Sequence, residues 1–244
     1  MKVYAHRGAS AQYPENTMLA FEKAVEMGVA GIETDVHLSR DGQLVLCHDE
    51  TIDGTTDRTG WIEKLTYDEL LRADAGIRKG SQFAGQRIPL LRDLLRLARE
   101  SEIELNLELK NYVLDYPELE RLVIEEIASY YRPEKVLLSS FRHLSMVRAK
   151  QISPNTPTAL LYSCDFYRAA DYAAACGANA LNPDYTMLSE DTVKQAKAAG
   201  LLVNVWTVDD PEQMLRMRGM GVDVLMTNDP QTALRVLAQT MEKE

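Results

Sequence analysis

The stretch Gly31-Ile32-Glu33-Thr34-Asp35-Val36-His37 decides how the rest of the chain is read. Apolar and β-branched residues alternate with polar ones, which is the pattern of a strand. Side chains on a strand point to opposite faces with a period of two. Glu33, Asp35 and His37 therefore share one face, and Ile32, Thr34 and Val36 share the other. Neighbouring carboxylates repel, and burial without a partner raises their pKa or costs several kcal/mol. A face of this kind is expected to meet a cation.

Outward from that strand the pattern is regular. Residues 2–6 read as a strand turned by Arg7-Gly8. A helix follows, with Asn16 as its expected N-cap and Leu19, Ala20, Val25 and Met27 on its apolar side. On the other flank Asp41-Gly42 signals a turn, and 44–47 returns as a hairpin strand ending at His48-Asp49. Periodicity is then lost over residues 50–87, where only 67–72 looks helical; this predicts an inserted cap over a site. A helix through Leu91, Leu94, Leu95 and Ala98 restores order. Strands are predicted over 104–109, 135–140, 158–162, 178–181, 201–206 and 223–226, and helices over 118–131, 143–150, 165–176, 189–199, 211–218 and 231–239. Eight βα units predict an α/β fold, a TIM (β/α)8 barrel forming a single domain over 1–244, with residues 50–87 as a small cap subdomain after the second strand. An open doubly wound sheet would want a GxGxxG turn, which the sequence lacks.

Hydrophobic residues make up 45% and charged residues 26%, the balance of a globular protein with a substantial core. A net charge of -10 disfavours nucleic acid or an anionic membrane surface as the main partner, but leaves room for a small anionic substrate. Cys47, Cys164 and Cys176 are scattered, without a CxxC, and read as free thiols in a reducing compartment. Residues 2–6 resemble a strand rather than a signal peptide, and no apolar run approaches the ~20 residues of a membrane helix. The expectation is a cytoplasmic protein without stable membrane association; its oligomeric state is left open.

In a barrel, chemistry gathers at the carboxyl ends of the strands. There the sequence places His6 and Arg7, then Glu33 and Asp35, then His48 at the end of the hairpin. Asn106, Glu108 and Lys110 alternate with leucines on the next strand, and Asn204 and Trp206 end a later one. Glu33, Asp35 and Glu108 form an all-oxygen set, which suits a hard divalent cation, Mg²⁺ or Ca²⁺, better than zinc. Any one of them could instead be a salt-bridged carboxylate. A free imidazole titrates near neutral pH, so a pair such as His6 and His48 can supply an acid and a base. His37 is read as a supporting or surface residue, and His143 as a helix-start residue without chemistry. Arg7 and Lys110 either balance the carboxylates or hold an anion such as phosphate. Trp206 is core or the wall of a small-substrate pocket.

These motifs resemble the glycerophosphodiester phosphodiesterase family, of the bacterial cytosolic type. The resemblance rests on His6-Arg7-Gly8, Pro14-Glu15-Asn16-Thr17, Glu33-Thr34-Asp35-Val36, Asp41-Gly42, His48-Asp49, Leu107-Glu108-Leu109-Lys110, Ser140-Phe141 and Val205-Trp206-Thr207-Val208, in order along the whole chain. It implies a TIM barrel with an inserted cap and a metal-dependent hydrolase. Such an enzyme would cleave a small-molecule glycerophosphodiester to sn-glycerol 3-phosphate and an alcohol such as choline or ethanolamine. By the same resemblance Glu33, Asp35 and Glu108 are the metal ligands, His6 and His48 the acid and base, Arg7 and Lys110 the phosphate contacts, and Trp206 the lining at the glycerol end. One departure bears on the cap: Gly54 stands where the family often carries an arginine before Thr55-Thr56. The competing readings are a phospholipase-like phosphodiesterase acting on lysophospholipid and a barrel that binds phosphodiesters without cleaving them.

Overall fold

A computed structural model describes residues 1–241. Its strands are β1 (Lys2–His6), β2 (Gly31–Leu38), β3 (Leu44–Leu46), β4 (Glu104–Leu109), β5 (Val136–Ser140), β6 (Thr158–Tyr162), β7 (Ala180–Pro183), β8 (Leu202–Val205) and β9 (Val224–Thr227). The helices are α1 (Met18–Glu26), α2 (Tyr67–Leu70), α3 (Leu91–Ser101), α4 (Leu119–Tyr130), α5 (His143–Ile152), α6 (Ala169–Ala175), α7 (Glu190–Ala198), α8 (Pro211–Met220) and α9 (Pro230–Met241). β1 pairs in parallel with both β2 and β9, and each remaining parallel strand pairs with its neighbours. Eight parallel strands thus close into a TIM barrel, and β3 hangs antiparallel from β2 as the predicted hairpin. Among the described residues no helix is long and apolar enough to cross a membrane.

Alternation on each strand divides the core in two. Ile32 and Val36 on β2, and Leu105, Leu107 and Leu109 on β4, are buried in the layer between the strands and the helices. The opposite faces fill the barrel with polar groups. Asn204 donates to Asn182 at 2.9 Å, Asn182 to Asn106 at 3.0 Å, and Asn106 to the Ser139 hydroxyl at 2.9 Å. This chain of side-chain amides satisfies most of its own donors and acceptors inside the barrel. It also moves Asn204 out of the expected set at the mouth and into the barrel floor.

Two boundaries differ from expectation for local reasons. The cap of α1 is Thr17, whose hydroxyl accepts from the Ala20 amide, whereas Asn16 sits at φ +52 and turns inward. α6 starts only after Arg168, whose φ of +57 is incompatible with a helix running through it. Residues between β3 and α3 carry an apolar cluster of their own, with Ile52, Ile62, Leu70, Ala73 and Ile88 buried in it.

Gly8 is the tightest point of the turn after β1. Its φ is +81, and a Cβ there would lie 2.7 Å from the Ala20 carbonyl carbon. Only glycine accepts both the dihedral and the approach of α1. Gly8→Ala is expected to cost at least about 2 kcal/mol in denaturant unfolding; stability within about 0.5 kcal/mol of the parent would contradict this packing.

Candidate active site

Strand register assembles the site. In the parallel pairing of β2 with β4, Asp35 stands opposite Glu108 and Glu33 opposite Asn106. In the pairing of β1 with β2, His6 stands opposite Glu33. All of these side chains lie on the inward face. Glu33, Asp35 and Glu108 are buried, with one carboxylate oxygen from each lying within 4.8 Å of the others.

Two cations and an amide hold this cluster. Lys110, itself buried, brings its Nζ within 3.1 Å of Glu108 Oε1 and 3.6 Å of Asp35 Oδ1. Arg7 adopts φ +59, a left-handed backbone uncommon for non-glycine residues, which turns its side chain over the cluster. Its Nε lies 3.7 Å from Asp35 Oδ2, and its Nη1 donates to Glu15 at 3.2 Å. Asn16 donates to Asp35 Oδ2 at 2.9 Å and accepts from the Thr34 hydroxyl at 2.7 Å. Burial pushes the Asp35 carboxyl up, but Lys110 and Arg7 outweigh it and hold Asp35 well below the usual carboxylate range. Burial, reinforced by the charge of Asp35, raises Glu33 well above that range and lifts Glu108 to about 7.

Three carboxylates against two cations leave one unit of negative charge, and the cluster can meet it with a proton or with a further cation. Glu33 Oε2 and Glu108 Oε1 are buried without a well-aligned hydrogen bond. Carboxylate oxygens at this spacing, met by Lys110 at 3.1 Å and His6 at 3.8 Å, fit a hard divalent cation. Arg7 Nε is likewise a buried donor without an acceptor, a position an anionic ligand would fill.

His6 Nδ1 lies 2.7 Å from Asn228 Oδ1. An amide oxygen only accepts, so Nδ1 carries the proton and Nε2 is left free, 3.8 Å from Glu33 Oε2. Asn228 is fixed in turn: its Nδ2 donates to Asp209 Oδ2 at 2.7 Å, and its backbone amide donates to Asp209 Oδ1 at 2.8 Å. Burial, together with the nearby Arg7 charge, lowers His6 to about 4, so its imidazole is neutral at pH 7. His48 lies at the rim, about one-third exposed, with Nδ1 2.7 Å from Asp49 Oδ1. His37 is buried rather than at the surface. Its Nε2 donates to the His48 carbonyl at 3.4 Å, and its Nδ1 accepts from Tyr116 at 3.0 Å, so it supports the hairpin end that carries His48.

His6, Arg7, Glu33, His48, Glu108 and Trp206 line one cavity of about 50 Å³ at the carboxyl end of the barrel. Phe141 meets Trp206 edge to face at 5.7 Å and extends the wall. The Trp206 indole donates to the Asn182 carbonyl at 2.8 Å, which fixes the ring as lining. A larger cavity of about 600 Å³ opens where the strands begin, the end of this fold that serves stability rather than chemistry. The structure therefore brings together all eight residues singled out from the sequence: His6, His48, Arg7, Lys110, Trp206, Glu33, Asp35 and Glu108. The reading missed Asn16, Asp209 and Asn228. Asn228 directly follows a barrel strand, and that position alone could have raised it.

Cations kept beside buried carboxylates, with a donor left over for an anion, are what a barrel hydrolase of phosphate esters needs. The chain matches the glycerophosphoryl diester phosphodiesterase family over residues 6–232 and belongs to that family. A glycerophosphodiester phosphodiesterase of Caldanaerobacter subterraneus subsp. tengcongensis is 40% identical over 235 residues, 96% of this chain and 97% of that protein. One from Bacillus altitudinis is 34% identical over 238 residues, covering 96% and 97% of the two chains. A phosphodiesterase of Oleispira antarctica, solved in complex with the product sn-glycerol-3-phosphate, has a TM-score of 0.91 at 29% identity, covering 98% of this chain and 97% of that one.

Asn228→Leu removes the acceptor that fixes the His6 tautomer. It should lower kcat by about 10–100-fold with little change in KM, and ¹⁵N chemical shifts should show His6 losing its single tautomer. A near-parental kcat would contradict the role given to Asn228.

Proposed function

We propose that the residues at this mouth hydrolyse glycerophosphodiesters to sn-glycerol 3-phosphate and an alcohol, with Glu33, Asp35 and Glu108 holding a divalent cation, Mg²⁺ or Ca²⁺. The observation that carries the reading is the buried three-carboxylate cluster, unbalanced by one charge and flanked by Arg7 and Lys110. When bound there, the cation supplies Lewis acidity to phosphate and hydroxyl oxygens.

The chain's own residues divide the remaining work. Arg7 offers Nε, and Lys110 its Nζ, to the negative charge that builds on the phosphate oxygens. His6, neutral and with Nε2 free, takes the proton of the nucleophile, either water directly or the neighbouring glycerol hydroxyl, whose cyclic phosphate water then opens. His48 returns a proton to the departing alcohol oxygen, and its place at the rim beside Asp49 lets it reload from solvent. Trp206 and Phe141 present apolar rings to the glycerol carbons. The cap, residues 50–87, packs beside the turn after β1, where Lys79 bonds the Ser10 carbonyl, and shapes which alcohol is accepted. The three thiols are free, in keeping with a reducing cytoplasm.

His6→Ala and His48→Ala should each lower kcat on natural diesters by about 10²–10⁴-fold. A nitrophenyl ester, whose leaving group needs little protonation, should restore the His48 variant and leave the His6 variant slow. Rescue of the His6 variant instead would reverse the assignment, and near-normal kcat in both would remove the two-histidine mechanism. Chelation should abolish turnover while leaving far-ultraviolet circular dichroism unchanged, because strand pairing and an apolar core, rather than these three carboxylates, close the barrel. Full turnover after exhaustive chelation would contradict the metal requirement.

A further inference from the structure

A second cavity, about 170 Å³, lies in the seam between the cap and the barrel. Ser10, Glu15, Gly54, Thr55, Arg78 and Lys79 contribute to its wall. No described residue lines both this seam and the reaction cavity, but hydrogen bonds join their walls. Arg7 lines the reaction cavity and faces Asp35 with Nε, while its Nη1 bonds Glu15 on the seam side. Ser10 donates to the His6 carbonyl at 2.7 Å.

The charge in the seam is unusual for an acidic chain. Glu15, the carboxylate on its wall, is already paired with Arg7 at 3.2 Å. Arg78 and Lys79 are anchored by backbone carbonyls rather than by acids: Arg78 Nε bonds the Thr56 carbonyl, and Lys79 Nζ the Ser10 carbonyl at 2.7 Å. A carbonyl orients a cation without cancelling its charge, and Arg7 is shared between Asp35 and Glu15, so the seam sets Arg78 and Lys79 against Glu15 alone, a positive excess in a chain of net charge -10. Gly54 adds no side chain to this wall, and the space is several times what one ordered water needs.

We propose that this seam is the leaving-group subsite of the phosphodiesterase reaction and that it selects alcohols bearing their own negative charge, a phosphate or a carboxylate, over cationic alcohols. The inference rests on the hydrolytic reading above. A phosphate held at the metal cluster would point its glycerol toward Trp206 and Phe141, leaving the alcohol to pass Arg7 into the seam. An anionic tail meets Arg78 and Lys79 there in charge-assisted hydrogen bonds. A trimethylammonium tail meets two like charges.

The test compares kcat/KM for glycerophosphoglycerol bearing a terminal phosphate, for glycerophosphoglycerol itself, and for glycerophosphocholine. The metal-loaded enzyme is used with and without Arg78→Gln and Lys79→Gln together. The parent should favour the anionic diester over the choline diester by roughly tenfold or more. The double variant should lose most of that preference through the anionic substrate alone, and added salt should weaken the preference in the parent. Equal or better turnover of the choline diester by the parent would overturn the subsite, as would equal losses on all three substrates in a variant whose unfolding midpoint is unchanged. No turnover of any diester by the parent would overturn the hydrolytic reading instead, so the two failures are distinct.

Discussion

The pairing of Asp35 with Glu108 across β2 and β4 is the constraint on which the site depends. Directly opposed like charges on neighbouring strands destabilise a sheet, and here both groups are buried as well. The pairing persists because Lys110, two residues beyond Glu108 on the same face, reaches both carboxylates, and Arg7 reaches Asp35 from the turn after β1. Among the described residues Glu33 has no lysine or arginine within 4 Å, and burial with the charges of Asp35 and Glu108 raises its carboxyl well above the usual range. The resulting deficit of positive charge couples the barrel's strand register to its chemistry.

Around that cluster the supporting bonds have a common source. Asn16, Asn228 and Asp209 all lie beyond the carboxyl ends of barrel strands, and each turns a side chain inward to orient a group of the site. Backbone geometry serves the same end. Arg7 and Asn16 both hold positive φ, and Gly8 between them lets α1 approach closely enough for the turn to close over Asp35. The hairpin acts at longer range, since His37 bonds the carbonyl of His48 and so ties the rim histidine to the interior of β2.

Period-two alternation made the central residues legible from the sequence. Glu33, Asp35, Asn106, Glu108 and Lys110 could be placed on inward faces because they alternate with Ile32, Val36, Leu105, Leu107 and Leu109, which must face the helices. What alternation cannot show is how turns fold back. Asn16 looked like a helix cap because caps and Asx side chains share the same residue types; its positive φ, which sends it to Asp35 instead, is a property of the assembled turn. Asn228 was passed over although it directly follows a barrel strand, because its role shows only once His6 is placed beside it. Asn204 was misplaced by depth alone. It alternates inward as expected, but it bonds Asn182 in the barrel floor rather than reaching the mouth.

The most direct test of this account is calorimetric titration of the chelated protein with Mg²⁺ or Ca²⁺ as a function of pH. Burial and the charge of Asp35 hold a proton on Glu108 up to about 7. Below that pH each cation bound must expel a proton, so affinity must rise as pH rises. The account expects one cation per chain, affinity increasing from about pH 5.5 to about pH 7.5 with proton release, and loss of both in Glu33→Gln and Glu108→Gln. Affinity that is flat across that range, or saturable binding that survives both substitutions, would contradict it.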